Sequence, residues 1–278
     1  SARHGIGAVF QHPEDQIVTT VTEDDVAFGP ENLAIAHDDI DMRIAMSLDA
    51  VDMSGQREAD PTRMSGGQQQ RVAIAGMLAM NPEILVLDEP TAMLDPQGRA
   101  DIMHILDELQ QHGTTIILVT HHRDEFANAD RIIRLDNGRI VQSARGNTAS
   151  IPEMDESGTA QEDNPIAKSN IANGASKPTS AVPIIEIHNL IYQYPNSSKP
   201  VLDKLSITIN EGETVAITGH NGAGKTTLAR LLCALEQPQS GSITVNTIPV
   251  ARQRANGNMQ PLKRADREKL RATIGYVM

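Results

Sequence analysis

One stretch constrains the fold of this 278-residue chain more than any other: GHNGAGKT, at Gly219–Thr226. It fits the pattern G-x-x-x-x-G-K-[ST], and it stands in the context that gives the pattern meaning. The apolar, strand-like run TVAIT precedes it, and the helical run KTTLARLLCAL follows it. Glycines in such a turn let backbone N–H groups converge on phosphate oxygens, and the helix N-terminus adds its positive end. Lys225 is expected to reach the β- and γ-phosphates of a nucleotide and the Thr226 hydroxyl to ligate Mg2+. Gly219, Asn221, Gly222, Gly224 and Thr227 complete the expected cradle. A strand, turn and helix that bind no nucleotide are the alternative the loop alone leaves open.

The rest of the sequence supplies an α/β framework. EILVLDEP and TTIILVTHH are short continuous apolar runs, the signature of parallel strands covered on both faces. Between them Ile102, Ile105, Leu106 and Leu109 follow helical spacing, and Gly113 stands where that helix should stop. RIIRLDNGRIV predicts two short strands around an Asn137-Gly138 turn. IIEIHNLIYQY and KLSITI predict further strands, giving the second half an antiparallel portion.

Residues 143–183 interrupt this framework. The stretch is rich in Ser, Asn, Ala, Pro and Gly, has no aromatic residue, and buries too little apolar surface to offset its ordering entropy. It reads as a flexible linker between a block at 1–142 and a block at 184–278, and its acidic middle as solvated spacer. The formal net charge of −12 argues against a large nucleic-acid footprint, which needs clustered Lys and Arg. The single cysteine, Cys233, rules out an internal disulfide framework and reads as a small core residue. No apolar stretch approaches the roughly 18–20 residues that cross a bilayer, and the start shows no initiator Met, charged n-region or cleavage site. A membrane role is therefore expected to come through a partner.

Two further motifs join the phosphate loop. ILVLDEP ends an apolar strand in adjacent carboxylates: in a nucleotide hydrolase Asp88 would sit near Mg2+ and Glu89 would polarise the attacking water. Alone, such residues also serve as helix caps. MSGGQQQR places Ser65 and Gln68 at capping-box spacing, and Gly66 and Gly67 leave N–H groups open to an anion. His121 and His122 lack further ligands at sensible spacing for zinc. PLKRADREKLR, with Asp266 and Glu268 interleaved, reads as an exposed helix face.

MSGGQ, LVLDEPTAMLD and VTHH in that order, with GHNGAGKTT, resemble the ATP-binding-cassette (ABC) family: its signature, Walker B strand, D-loop, switch histidine and Walker A loop. FQHPEDQIVTTVTEDDVAFGPENL, Phe10–Leu33, resembles the ATPases of energy-coupling-factor importers for vitamins or Ni/Co ions. The resemblance implies a P-loop NTPase cassette fold with a parallel core sheet, a helical signature subdomain and an antiparallel β portion. It implies ATP and Mg2+ as ligands, and head-to-tail pairing of cassettes. It also implies a transmembrane energy-coupling subunit with a substrate-binding membrane subunit, on the cytoplasmic face of the cell membrane. Gln11 matches the Q-loop glutamine, which touches Mg2+ or the lytic water. Ser65, Gly66, Gly67 and Gln68 match the signature that closes over a nucleotide held by the opposite cassette. Glu89 matches the general base, Asp88 the Mg2+-side carboxylate, Asp95 the D-loop aspartate and His121 the switch histidine. Tyr194 falls where the family stacks an aromatic ring on adenine; Tyr192 reads as core.

The motif order is unusual. A whole cassette runs from the adenine-stacking residue and Walker A loop to the switch histidine, but here the later motifs come first. Residues 5–11, GIGAVFQ, and the closing RATIGYVM carry the same Ile-Gly-x-Val phrase. The expectation is an internal segment of a tandem polypeptide, with the end of one cassette and the start of the next as two partial cassettes. On that reading Asp88 and Glu89 serve a different nucleotide site from Lys225. The alternative is a circular permutant in which the two blocks dock; a linker of about 40 residues spans on the order of 35 Å as a random coil, so docking is sterically possible. A soluble cassette acting on ribosomes or DNA is a further alternative, disfavoured by the acidic balance and the lack of inserted arms. A non-hydrolysing regulatory cassette is disfavoured by the intact Glu89 and His121.

Overall fold

The computed structural model describes residues 17–92, 94–145, 182–195, 197–253 and 257–277. The opening block contributes helices α1 (Thr22–Asn32), α2 (His37–Ala50), α3 (Gly66–Ala79) and α4 (Pro96–Gln111), with strands β1 (Ile84–Asp88), β2 (Thr115–Val119), β3 (Arg131–Asp136) and β4 (Arg139–Arg145). The closing block contributes β5 (Pro183–Tyr192), β6 (Leu202–Asn210), β7 (Thr214–Thr218), β8 (Ser240–Val245), β9 (Ile248–Gln253), β10 (Met259–Gln260) and β11 (Ile274–Val277). Its helices are α5 (Lys225–Leu232) and α6 (Arg264–Thr273).

The two blocks share one sheet. Its order is β11-β1-β2-β7-β3-β4, so strands of the closing block interleave with strands of the opening one. β1 runs parallel to β11 with Ile84 opposite Ile274, and β2 runs parallel to β7 with Ile117 opposite Val215. β7 also pairs in parallel with β3, and β3 with β4 in the antiparallel hairpin. This is the pairing the docked, permuted arrangement requires. The physical cause is that β1 and β2 are buried at every position, so each needs neighbours along both edges and cover on both faces. The second sheet, β10-β9-β8-β5-β6, comes wholly from the closing block.

Alternation along β1 splits the core in two. Ile84 and Val86 point to one face and pack in a cluster with Leu205, Ile207 and Leu228 of the closing block. Leu85 and Leu87 point to the other face, into a cluster with Val26, Ile44, Leu48 and Ile74 from the helices of the opening block. Each such side chain contributes about 1.5–3 kcal/mol when fully buried. Gly275 of β11 lets α3 approach: a Cβ there would lie 3.1 Å from Leu85 Cδ1 and 3.5 Å from Met77 Cβ.

Polar contacts lock the blocks at the sheet's end. Arg131 Nε pairs with the buried Glu213 at 2.9 Å, and the Thr214 amide donates to Asp130 Oδ2 at 2.8 Å. The Gly212 amide donates to Thr115 Oγ1 at 2.9 Å. The expected Asn137-Gly138 turn forms, with both residues at positive φ, and packs on the closing block. A Cβ on Gly138 would lie 2.2 Å from the Val201 carbonyl oxygen, so only glycine fits.

Three boundaries differ from the sequence reading. Ser143–Arg145 belong to β4, held by pairing with β3, and Pro183 opens β5, so strands take both ends of the 143–183 stretch. Residues 146–181, the middle of the expected linker, lie outside the described residues, as do 1–16 with the first Ile-Gly-x-Val phrase and Gln11. Helix α5 stops at Leu232 rather than running through KTTLARLLCAL. Ala234 turns to a φ of 55°, and the Leu235 amide closes back on the Arg230 carbonyl at 2.9 Å.

Candidate nucleotide site

The loop between β7 and α5 is shaped by its glycines. Gly219 has a φ of 149° and Gly224 a φ of 100°. A Cβ on Gly219 would lie 2.3 Å from the Leu135 carbonyl oxygen, and one on Gly224 2.7 Å from Leu202 Cδ2. Lys225, only 6% exposed, folds back so that Nζ donates to the carbonyls of Gly219 (3.0 Å) and His220 (3.3 Å). Its ammonium thus spans the concavity lined by the loop backbone.

The carboxylate strand arrives beside it. Asp88, at the end of β1, is 6% exposed, and the Thr226 side chain lies beside its carboxylate. Burial pushes its pKa up to about 6 and the neighbouring Glu89 adds to the rise; the Thr226 hydroxyl, Lys225 and Arg230 oppose it. Asp88 Oδ1 is buried with no hydrogen-bond partner. An orphaned carboxylate oxygen next to a threonine hydroxyl is a donor set suited to a hard, oxygen-seeking cation such as Mg2+.

Glu89 leaves β1 in the left-handed region, at a φ of 51°, fixed by its amide donating to the Val119 carbonyl at 2.9 Å. A non-glycine residue held there costs of order 1–3 kcal/mol, a strain characteristic of functional sites. Glu89 Oε1 lies 3.2 Å from His121 Nδ1, which projects from the end of the adjacent strand β2. The His122 ring stacks tilted on His121 at 4.1 Å between centroids, and burial followed by the His121 charge lowers its pKa.

Tyr194 is more than one-third exposed, and its hydroxyl shares a 3.1 Å hydrogen bond with Thr227 Oγ1 on α5. Tyr192 meets it edge-on, with centroids 4.9 Å apart. Tyr192 is buried and donates to Glu236 at 2.9 Å; burial and then that carboxylate push its pKa up to about 12.

Ser65–Gln68 and Asp95 form a separate feature. Ser65 caps α3, its amide donating to Gln68 Oε1 at 3.1 Å while the Gln68 amide returns to Ser65 Oγ at 3.4 Å. Asp95 caps α4 by accepting from the Gly98 amide at 2.7 Å. Together with Gly66, Gly67 and Arg71 they line an open cleft of about 460 Å³ in which no residue of 219–226 takes part. Lys225, Thr226, Asp88, Glu89, His121 and Tyr194 with Thr227 thus belong to one region, and Ser65–Gln68 with Asp95 to another.

Two contributors escape sequence reading. His220, inside the loop, lies with Nε2 2.8 Å from Asp136 Oδ1 at the β3–β4 hairpin, tying the loop to the opening block. Glu125, buried behind His121, accepts from Thr91 and Thr120. Neither has a spacing that marks it.

The sequence pattern of the ABC transporter family matches residues 1–92 and 202–278. The chain belongs to the ABC transporter family. It has the P-loop cassette fold, with a mixed sheet, an antiparallel sheet and a helical portion. A putative ABC transporter ATP-binding protein of Bifidobacterium longum is 50% identical, covering all of this chain and 39% of that protein. The energy-coupling factor transporter ATP-binding protein EcfA1 of Clostridium novyi is 52% identical over half of each chain. Among solved structures, cbiO1 of Clostridium perfringens, part of the ABC transporter complex cbiONQ, aligns with a TM-score of 0.47 at 38% identity. That alignment covers 51% of this chain and 58% of that one. The chain spans half or less of the length of these curated relatives.

Proposed function

We propose that this chain is the ATP-binding and ATP-hydrolysing motor of an energy-coupling-factor type importer, acting as a peripheral protein on the cytoplasmic face of the membrane. The observation that carries the reading is the meeting of Lys225 and Thr226 with Asp88, Glu89 and His121 across one shared sheet.

The proposed chemistry follows from these side chains. Loop N–H groups and Lys225 hold the β- and γ-phosphates of ATP, and the Tyr194 ring stacks on adenine, a contact worth about 1–3 kcal/mol. Asp88 and Thr226 hold Mg2+, which when bound neutralises charge developing on the phosphate oxygens. Glu89 accepts a proton from the attacking water, and His121, poised at 3.2 Å, fixes the carboxylate and contacts the γ-phosphate. Gln11 relays the nucleotide state. Ser65–Gln68 and Asp95 face outward toward a nucleotide held by a second cassette, so closure of two cassettes completes each site. The apolar side chains Val18, Phe28, Met42 and Met46 are exposed on and beside α1 and α2, and supply a surface for the membrane partner. Among the described residues no helix is long and apolar enough to cross a membrane.

A tandem polypeptide, in which Asp88 and Glu89 would serve a different nucleotide site from Lys225, is supported by the repeated Ile-Gly-x-Val phrase and by the greater length of this chain's relatives. The shared sheet favours a second reading, a self-complementing permuted cassette. Steady-state Mg-ATPase assays on the 278-residue chain separate them. Activity abolished by both Lys225→Ala and Glu89→Gln supports complementation within the chain; activity surviving Glu89→Gln overturns the assignment of the base.

A further inference from the structure

We infer that Glu125 is a positioning residue for ATP hydrolysis: a buried carboxylate that clamps the loop carrying the base to the loop carrying the switch histidine. The inference rests on the ATPase reading of the site.

Glu125 lies in a short 3-10 turn, Arg123–Phe126, and is 2% exposed. Its two oxygens are used by different elements. Thr91, two residues beyond Glu89, donates its hydroxyl to Oε1, and Thr120, the residue before His121, donates its hydroxyl to Oε2. The Thr120 oxygen accepts in turn from the His122 amide at 3.0 Å, which fixes the hydroxyl's direction. Arg99 lies 3.7 Å from Oε1 on α4, one turn after Asp95, whose carbonyl accepts from the Arg99 amide. One carboxylate therefore touches the segments that follow β1 and β2, and the helix that Asp95 caps.

The arrangement has a mechanical consequence. Glu89 is held at a left-handed φ with its amide on the Val119 carbonyl, and His121 is partly exposed with the His122 ring beside it, so the 3.2 Å contact between them depends on how the residues after β1 and β2 are held together. Both are at the ends of strands, where the ladder stops constraining the chain. Glu125 takes over there, because a carboxylate accepts from two hydroxyl donors at once while a neutral amide oxygen offers only one side of that bridge. Buried at 2% exposure, it acts through Glu89 and His121.

The test compares wild type, Glu125→Gln, Thr91→Val and Thr91→Ser in the full 278-residue chain. Steady-state ATPase kinetics are read together with amide hydrogen exchange without nucleotide. The clamp predicts that Glu125→Gln and Thr91→Val each lower kcat by about 10-fold or more, because small misplacements of reacting groups are kinetically expensive. KM for ATP changes little, since the phosphate loop is untouched. Thr91→Ser, which keeps the hydroxyl, keeps most of kcat, and the double variant Glu125→Gln/Thr91→Val is no worse than the poorer single one. Exchange rises in the segments 89–92 and 120–122 and not in 219–226. Unchanged kcat, or KM and exchange rising throughout the chain, would overturn the inference in favour of a merely structural carboxylate. If the wild-type chain turns over no ATP, the ATPase reading fails by itself, and exchange decides the clamp: no local rise in the Glu125→Gln chain sinks it.

Discussion

Two buried carboxylates, Asp88 at the end of β1 and Glu125 in the 3-10 turn after β2, have opposite surroundings. Glu125 has both oxygens engaged by threonine hydroxyls and an arginine nearby. Asp88 has one oxygen facing Thr226 and one with no partner, and burial drives its pKa up to about 6. A satisfied buried carboxylate stiffens a structure, whereas an orphaned one destabilises it until a cation arrives. In the proposed mechanism that unpartnered oxygen of Asp88 is the one that would hold Mg2+.

That contrast can be broken by mutation, and the largest effect is expected between the two. Glu89→Gln should lower kcat by about 10²–10⁴-fold with ATP affinity retained, as general-base loss does; single-turnover ATPase assays check it. Glu125→Ala should destabilise the chain by about 3 kcal/mol, because Thr91, Thr120 and Arg99 are left facing a hole; urea unfolding measures this. Asp88→Asn should do the reverse. Ionised Asp88 is disfavoured in the fold, so removing the charge should stabilise the metal-free chain by about 2 kcal/mol above pH 7. The sign follows from a folded pKa raised above the ordinary aspartate value of 3.8: wild type takes up its proton as pH falls through about 6, and the advantage of asparagine fades from there downward. Thermal unfolding across pH 5–8 reads the crossover. Ser65→Ala, in the cleft whose contacts are local caps, should cost only about 1 kcal/mol, visible as a small shift of the urea midpoint.

The same comparison explains what was legible in the sequence. Motifs confined to one short segment can be read directly: the glycine loop, the Ser65–Gln68 capping box and the Asn137-Gly138 turn all depend on neighbours in sequence. The apolar runs of β1, β2 and β7 likewise announce buried strands. What they cannot announce is their partner, because β1 accepts β11 or any other parallel strand of similar apolar content. The tandem expectation puts Asp88 and Lys225 at different nucleotide sites and the permuted alternative puts them at one; within this chain the β1–β2 and β2–β7 pairings bring the two strand ends into one sheet. Glu125 was invisible for a related reason: its partners lie at positions 91, 99 and 120, with no periodicity linking them. His220 was hidden inside a motif whose pattern allows any residue at that place.

The proposed Mg-ATP site joins the carboxylates of the opening block to the phosphate loop of the closing block. Isothermal titration of ATP into the 278-residue chain, with and without Mg2+, tests it when repeated on Asp88→Asn. Mg2+ is expected to tighten ATP binding to wild type and to have little such effect in the variant. An equal Mg2+ dependence in both chains would contradict it, because Asp88 would then lie outside the site that Lys225 builds.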